Sequence, residues 1–146
     1  VARYHPEAIP LVEVGAVGVD VEGAPLARFE GGLELLAASA TCDAGGQVQV
    51  RLDWRTPQRV DTDVSVFAHL LDGADALAAQ ADGYPLAGMA PFWLWQPGET
   101  VRDVRTLAAG PGRYRVRLGL WEPATGRRWA VEGAPDGLLY LPVDCP

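Results

Sequence analysis

Apolar and polar residues alternate one by one in two stretches of this chain. Over residues 47–55, Val48, Val50, Leu52 and Trp54 share one face, and Gln47, Gln49, Arg51, Asp53 and Arg55 share the other. Over 113–120, Arg113, Arg115 and Arg117 alternate with Tyr114, Val116, Leu118 and Leu120. A period of two puts successive side chains on opposite faces of a strand, so both stretches read as strands with one buried and one wet face. Antiparallel sheets supply such strands, whereas parallel sheets are usually covered on both sides. A third strand is expected over 64–71, with Val64, Val66, Ala68 and Leu70 as the core row. Its other row, Ser65, Phe67, His69 and Leu71, is too apolar for an ordinary solvated face, so something should cover it.

Weaker strand signals lie over 11–21, 33–41, 100–107, 127–131 and 138–143. Asp-Gly and Pro-Gly turns separate them, among them Asp72-Gly73, Asp82-Gly83, Pro97-Gly98, Pro111-Gly112 and Asp136-Gly137. Residues 75–82 are rich in Ala and Leu, but they span only about two helical turns between two Asp-Gly turns. They are expected to return as a strand pairing with 64–71. The sum is an all-β domain, a two-layer antiparallel β-sandwich of immunoglobulin-like or jelly-roll-like form. It should hold at least seven strands and less than a tenth of its residues in helix.

Composition narrows the class. The 146 residues fit one domain over 1–146, with a hydrophobic share of 49% and a charged share of 21%. The chain opens at Val1 without an initiator Met, as a fragment of a longer chain would, and residues 1–10 read as a loosely anchored lead-in. The net charge of −7 argues against nucleic acid as a partner, since a phosphate footprint needs clustered cations. All 12 cations are Arg, Asn is absent and Ile occurs once, a bias toward GC-rich codons. No apolar run approaches the roughly 20 residues of a membrane span. The longest uncharged stretch, 83–98, is broken by Pro85, Pro91 and Pro97.

Candidate chemistry is sparse. The two serines, Ser39 and Ser65, lie in no nucleophile-elbow motif, and the two histidines, His5 and His69, are far apart. Ser65 and His69 fall four apart on one strand face, beyond direct hydrogen bonding. No metal spacing is present, and no cofactor motif. Asp72, Asp75, Asp82 and Asp103 could offer oxygen ligands to a structural Ca²⁺, but Asp beside Gly more commonly caps a turn. The chain is therefore not expected to be an enzyme by itself. The separation of Cys42 and Cys145 fits neither a zinc nor a redox motif. Either they bridge the C-terminus to an early strand, or they are separate thiols in a reducing compartment. The even count favours the bridge, in material oxidised outside the cytosol.

The most informative feature is an aromatic cluster. Tyr84, Phe92, Trp93 and Trp95 hold four of the twelve aromatics, in a segment with neither strand nor helix period. It reads as a long ordered crossover between sheets. Its rings either plug the open end of the sandwich or form a platform on which sugar rings stack, with plugging the commoner use. The candidate ligand-binding set is His69, Gln80, Asp82, Tyr84, Trp93 and Trp95, where the apolar outer row of 64–71 meets the hairpin and this loop.

Several phrases follow one another in a set order: Val66-Phe-Ala-His-Leu-Leu-Asp72, Ala79-Gln-Ala-Asp-Gly-Tyr-Pro85, Trp95-Gln-Pro-Gly-Glu99, Pro111-Gly-Arg-Tyr114 and Gly119-Leu-Trp-Glu-Pro-Ala-Thr-Gly-Arg127. Arg55 follows Leu52-Asp53-Trp54. Each phrase is common β-turn grammar, but the order and spacing are not. Together, over roughly residues 32–131, they resemble the soluble C-terminal β-sandwich of some bacterial multi-pass membrane glycosyltransferases of the mannosyltransferase-like class. Trp121 stands where Tyr is commoner in that group. The resemblance implies a noncatalytic, extracytoplasmic accessory domain at the cell surface, attached to a membrane protein whose catalysis lies elsewhere. The motif positions it carries over are His69, Asp72, Gln80, Asp82, Trp95 and Gly98. Its partners would be carbohydrate or the membrane-embedded part of the parent protein. A carbohydrate-binding module using the aromatic loop, or an immunoglobulin-like protein-interaction domain, are the alternatives.

Overall fold

The computed structural model describes residues 14–19 and 23–146. Ten strands follow in chain order: β1 (Gly15–Val17), β2 (Ala27–Arg28), β3 (Glu34–Cys42), β4 (Gln47–Arg55), β5 (Ser65–Leu71), β6 (Leu77–Gln80), β7 (Thr100–Ala108), β8 (Gly112–Trp121), β9 (Arg128–Trp129) and β10 (Leu139–Cys145). Between them lie two single 3-10 turns, Glu30–Gly32 and Phe92–Leu94, and the described residues contain no α-helix. Lead-in residues 1–10 lie outside the described residues, and of the strand expected over 11–21 only β1 falls within them. The Ala- and Leu-rich segment returns as β6, antiparallel to β5. β2 was not expected, because two residues carry no alternation.

The strands form two antiparallel sheets. The first runs β1-β7-β4-β3-β2, and the second runs β10-β8-β5-β6 with β9 beside β8. With β3, β4 and β7 facing β10, β8, β5 and β6, the order is that of an immunoglobulin-type Greek key rather than a jelly roll. The corner into β8 agrees: the Tyr114 hydroxyl donates to the Gly110 carbonyl at 2.9 Å, a strap across the turn between sheets.

Between the sheets lies the core the alternation implied. Val48, Val50, Leu52 and Trp54 of β4 face Val66, Ala68 and Leu70 of β5 and Val116, Leu118 and Leu120 of β8, all buried. At one end Phe29, Trp54, Phe92 and Trp95 pack as a chain of rings, with centroids 4.7–5.7 Å apart. Such tilted and edge-on contacts add to the area that each ring buries.

The outer faces differ. That of the first sheet is polar: Arg102 donates to Asp53 at 2.8 Å, and Arg28 and Arg55 both hold the buried Glu34 carboxylate. Burial pushes that carboxyl up, but the two guanidiniums pull it further down, to a net value below its usual range. On the second sheet, Phe67 and Leu71 point outward yet are buried, at 9% and 3% exposure. The apolar members of the outer row of β5, Phe67 and Leu71, are therefore shielded by their neighbours, while His69 between them stays partly open.

Cys42 ends β3 and Cys145 ends β10, and the two are bonded, with Cα atoms 5.2 Å apart. The bridge joins the two sheets across a sequence separation of 103 residues. In the chain-entropy account a loop of this size removes about 4–5 kcal/mol of unfolded-state freedom. A Cys42→Ser/Cys145→Ser double variant should lose stability of that order in urea denaturation, with the far-UV circular dichroism of a β-sheet unchanged. An unaltered denaturation midpoint would mean the packing of β3 against β10 holds the sheets alone.

Candidate functional site

The outer face of the second sheet carries a groove of about 390 Å³, lined by Phe67, His69, Asp82, Arg117, Trp121, Gly126 and Arg128. Strand register accounts for the set. Phe67 lies opposite Gly119, and His69 opposite both Arg117 of β8 and Gln80 of β6. Trp121 lies opposite Ser65 on one side and Arg128 on the other. Residues opposite one another in an antiparallel pair share a face, so three adjacent levels of β5, β8 and β9 bring Phe67, His69, Arg117, Trp121 and Arg128 together, and Asp82 after β6 and Gly126 between β8 and β9 complete the lining.

Gly119 makes the floor. A Cβ there would sit 2.2 Å from Cζ of Phe67 and 3.1 Å from Leu138, so the tip of the Phe67 ring occupies the space over the bare backbone. The Phe67 and His69 rings are 5.1 Å apart. Arg117 can only donate, so its Nη2, 3.0 Å from His69 Nδ1, makes that nitrogen an acceptor. The ring proton is then on Nε2, which donates to Asp82 Oδ2 at 3.3 Å. The other Asp82 oxygen accepts the Ala68 N–H at 3.0 Å. The indole N–H of Trp121 is buried and finds no partner among the described residues.

Asp82 is aimed from behind. Asp103 and Arg105 occupy the core-facing row of β7, opposite Leu52 and Val50, and are both buried. They pair at 2.7 Å. Arg105 also donates to the carbonyls of Ala81 and Gly83, at 2.9 and 2.8 Å. Its fork grips the backbone on both sides of Asp82 and turns that carboxylate outward. Asp103 accepts the N–H of Leu86 at 2.9 Å, where Leu86 and Ala87 take positive φ of 57° and 55°.

Beside the groove, Arg127 bridges Glu30 and Glu122 at 2.8 and 2.9 Å. The Trp129 indole N–H, ahead of Thr125 and Arg127, holds the Glu122 carboxyl below its usual range. The Tyr140 hydroxyl does the same for Asp136, and its own pKa rises in return.

The residues expected to bind ligand divide. His69 and Asp82 meet in the groove, and Gln80 sits beside His69 in register without lining it. Trp95 is 2% exposed and donates its indole N–H to the Ala90 carbonyl at 2.9 Å. It plugs the sandwich with Phe92 and offers no stacking face, a correction to its expected role. Tyr84 and Trp93 pack edge-to-face at 5.3 Å away from the groove, and the Tyr84 hydroxyl donates to Asp63 at 2.5 Å. That carboxylate, as acceptor, raises the Tyr84 pKa. Asp72 accepts the N–H groups of Ala74 and Ala76, which is turn chemistry, and Asp75 accepts from Arg115. Among the described residues no three His, Cys, Asp or Glu side chains converge as a metal set.

Sequence reasoning missed Arg117, Trp121, Gly126 and Arg128. Period-two counting from Phe67 and His69 shows which β5 residues face outward, but only strand pairing says which β8 residues lie beside them. No family model matches this chain, and no curated protein matches its sequence.

Two variants test the construction. Gly119→Ala should cost about 1–3 kcal/mol by overpacking against Phe67, and Phe67→Leu in the same chain should return part of it. Equal melting temperatures for Gly119→Ala and the parent protein would show that Phe67 does not occupy the space over that backbone. Arg105→Met leaves the buried Asp103 carboxylate without its counter-charge, which should cost about 3–5 kcal/mol and shift the His69 imidazole resonances as Asp82 is released. Retention of both stability and shifts would remove the pin from behind the site.

Proposed function

We propose that this chain is a noncatalytic accessory domain that binds carbohydrate in the groove on its second sheet, as an extracytoplasmic appendage of a membrane glycosyltransferase-like protein. The observation that carries the reading is the groove itself. It combines an aromatic floor, Phe67 and Trp121, with fixed hydrogen-bonding groups, His69, Asp82 and Arg117, on rigid strands. An apolar wall with a few converging polar groups is the mix that small-ligand sites use, and the polar groups here suit sugar hydroxyls. The Cys42–Cys145 bond supports an oxidising compartment. No helix among the described residues is long and apolar enough to cross a membrane. The attachment to a glycosyltransferase rests on the resemblance carried by residues 32–131.

Titration with neutral and acidic oligosaccharides, read by tryptophan fluorescence and amide chemical shifts, tests the binding. Shifts clustered on β5, β8 and β9, lost in Trp121→Ala while the fold persists, are the expected result. Absence of any response at millimolar sugar would refute it. The gene tests the attachment: a reading frame encoding many membrane spans ahead of this segment is expected, and a frame without them overturns that part.

A further inference from the structure

The groove concentrates positive charge in an acidic chain. The outer row of β8 carries Arg113, Arg115 and Arg117, and β9 adds Arg128, while the whole chain has net charge −7. Most arginines elsewhere are held by carboxylates, and the row itself shows a gradient. Arg113 stands opposite Asp144 in register. Arg115 bonds Asp75 at 2.8 Å and stacks over the Tyr140 ring at 4.5 Å. Arg117 touches a histidine nitrogen, not a carboxylate, and so keeps its full charge uncompensated at contact. Arg128 makes no side-chain hydrogen bond or ion pair among the described residues. It acts on Asp136 only from a distance, and the Tyr140 hydroxyl already occupies that carboxylate at 2.7 Å. Arg117 and Arg128 line the groove with no carboxylate bonded to either among the described residues, whereas Arg113 and Arg51, which also lack such a bond, lie outside it.

The opposite wall has the other sign. The Asp82 side chain is 32% exposed, and its Oδ2 makes only the 3.3 Å contact with His69, which leaves acceptor capacity for hydroxyl donors. An anion placed there would meet like charge. A ligand with an anionic group at one end and hydroxyls at the other is therefore oriented by the groove, with its ring against Phe67 and Trp121.

We infer that the groove takes an acidic sugar, a pyranose whose carboxylate or phosphate lies against Arg117 and Arg128 and whose hydroxyls face Asp82 and His69. This rests on the carbohydrate-binding reading above and names the class of sugar. Guanidinium forks match carboxylate and phosphate oxygens, and charge-assisted bonds of this kind are roughly twice as strong as neutral ones. The volume of about 390 Å³ is near the low end for small-ligand sites, which suits one sugar unit with part of a neighbour rather than a long chain.

The test uses matched ligands on the intact domain, followed by amide shifts and calorimetry. A glucuronate-containing oligosaccharide is set against its carboxyl-reduced, neutral counterpart, and a hexose 1-phosphate against the free hexose and inorganic phosphate. Each acidic sugar should bind about tenfold or more tightly than its neutral partner. The difference should shrink with added salt, because partly exposed charges are screened. Arg128→Gln, at an exposed position that leaves the core intact, should abolish the preference, and Arg117→Gln should do the same. Arg115→Gln, outside the groove, should keep it. The tighter of the uronate and phosphate arms identifies the acid. Equal binding of neutral and acidic sugars, or a preference untouched in Arg128→Gln, overturns this inference and leaves carbohydrate binding standing. Inorganic phosphate binding as tightly as the sugar phosphate overturns the sugar part. No shift with any sugar, neutral or acidic, overturns both readings.

Discussion

The acidic wall of the groove and the crossover behind it depend on a buried ion pair facing the core of the first sheet. Arg105 would be an expensive intruder among Val50, Leu107 and Leu52 if it stood alone, since an uncompensated buried charge costs several kcal/mol. Asp103 compensates it, and the geometry leaves its remaining donors directed at the carbonyls of Ala81 and Gly83. Those carbonyls belong to the crossover that leaves β6. The Gly83 carbonyl already takes the Val66 N–H of β5 at 3.4 Å, and Arg105 adds a second donor there and one to Ala81. The same Asp103 carboxylate holds the Leu86 N–H in a left-handed turn that a side-chain-bearing residue resists. One pair thus closes the open side of the sandwich, fixes the start of the crossover and sets the direction of Asp82.

This arrangement explains why the aromatic loop is structural. Once Arg105 and Asp103 fix its beginning, the chain from Tyr84 onward is led over the end of the sandwich. There Phe92 and Trp95 complete the ring stack begun by Phe29 and Trp54. Phe92 and Trp95 of the cluster are consumed as a lid on the core, and Tyr84 and Trp93 pack edge-to-face on each other beside it. The aromatic lining of the groove instead comes from Phe67 and Trp121, which belong to strands and cannot move independently of the sheet.

The framework was legible in the sequence wherever alternation was strict. Residues 47–55 became β4 without adjustment, and Val64, Val66, Ala68 and Leu70 are buried as their parity required. The over-apolar outer row of β5 rightly indicated that Phe67 and Leu71 are shielded. The site was only half legible, for a physical reason. Alternation reports which way a side chain points but not what stands beside it on the next strand. His69 and Asp82 are close in sequence and share one hairpin, so local reasoning found them. Arg117 and Trp121 join them only through the pairing of β5 with β8, a contact of long sequence separation, and Arg128 follows Trp121 through the turn between β8 and β9. Asp103 was misleading in the opposite sense: in sequence it resembles an exposed turn acid, and only an inner-row neighbour such as Arg105 permits its burial.

A site on strand faces also behaves differently from one on loops. Immunoglobulin-type sandwiches offer flexible loops at their ends, which adapt to a partner and lose conformational freedom on binding. Here most of the groove lies on paired strands β5, β8 and β9, and the disulfide between β3 and β10 fastens the two sheets together. Little ordering is left to do when a ligand enters. Discrimination must then come from fixed charge rather than from closure: Asp82 is pinned from the core side, and Arg117 is held against His69. Their opposed signs across one aromatic floor favour a ligand that carries its own charge asymmetry. A neutral sugar could satisfy the Asp82 wall alone, and the guanidiniums would stay hydrated. Only an acidic one would replace water at both ends of the groove.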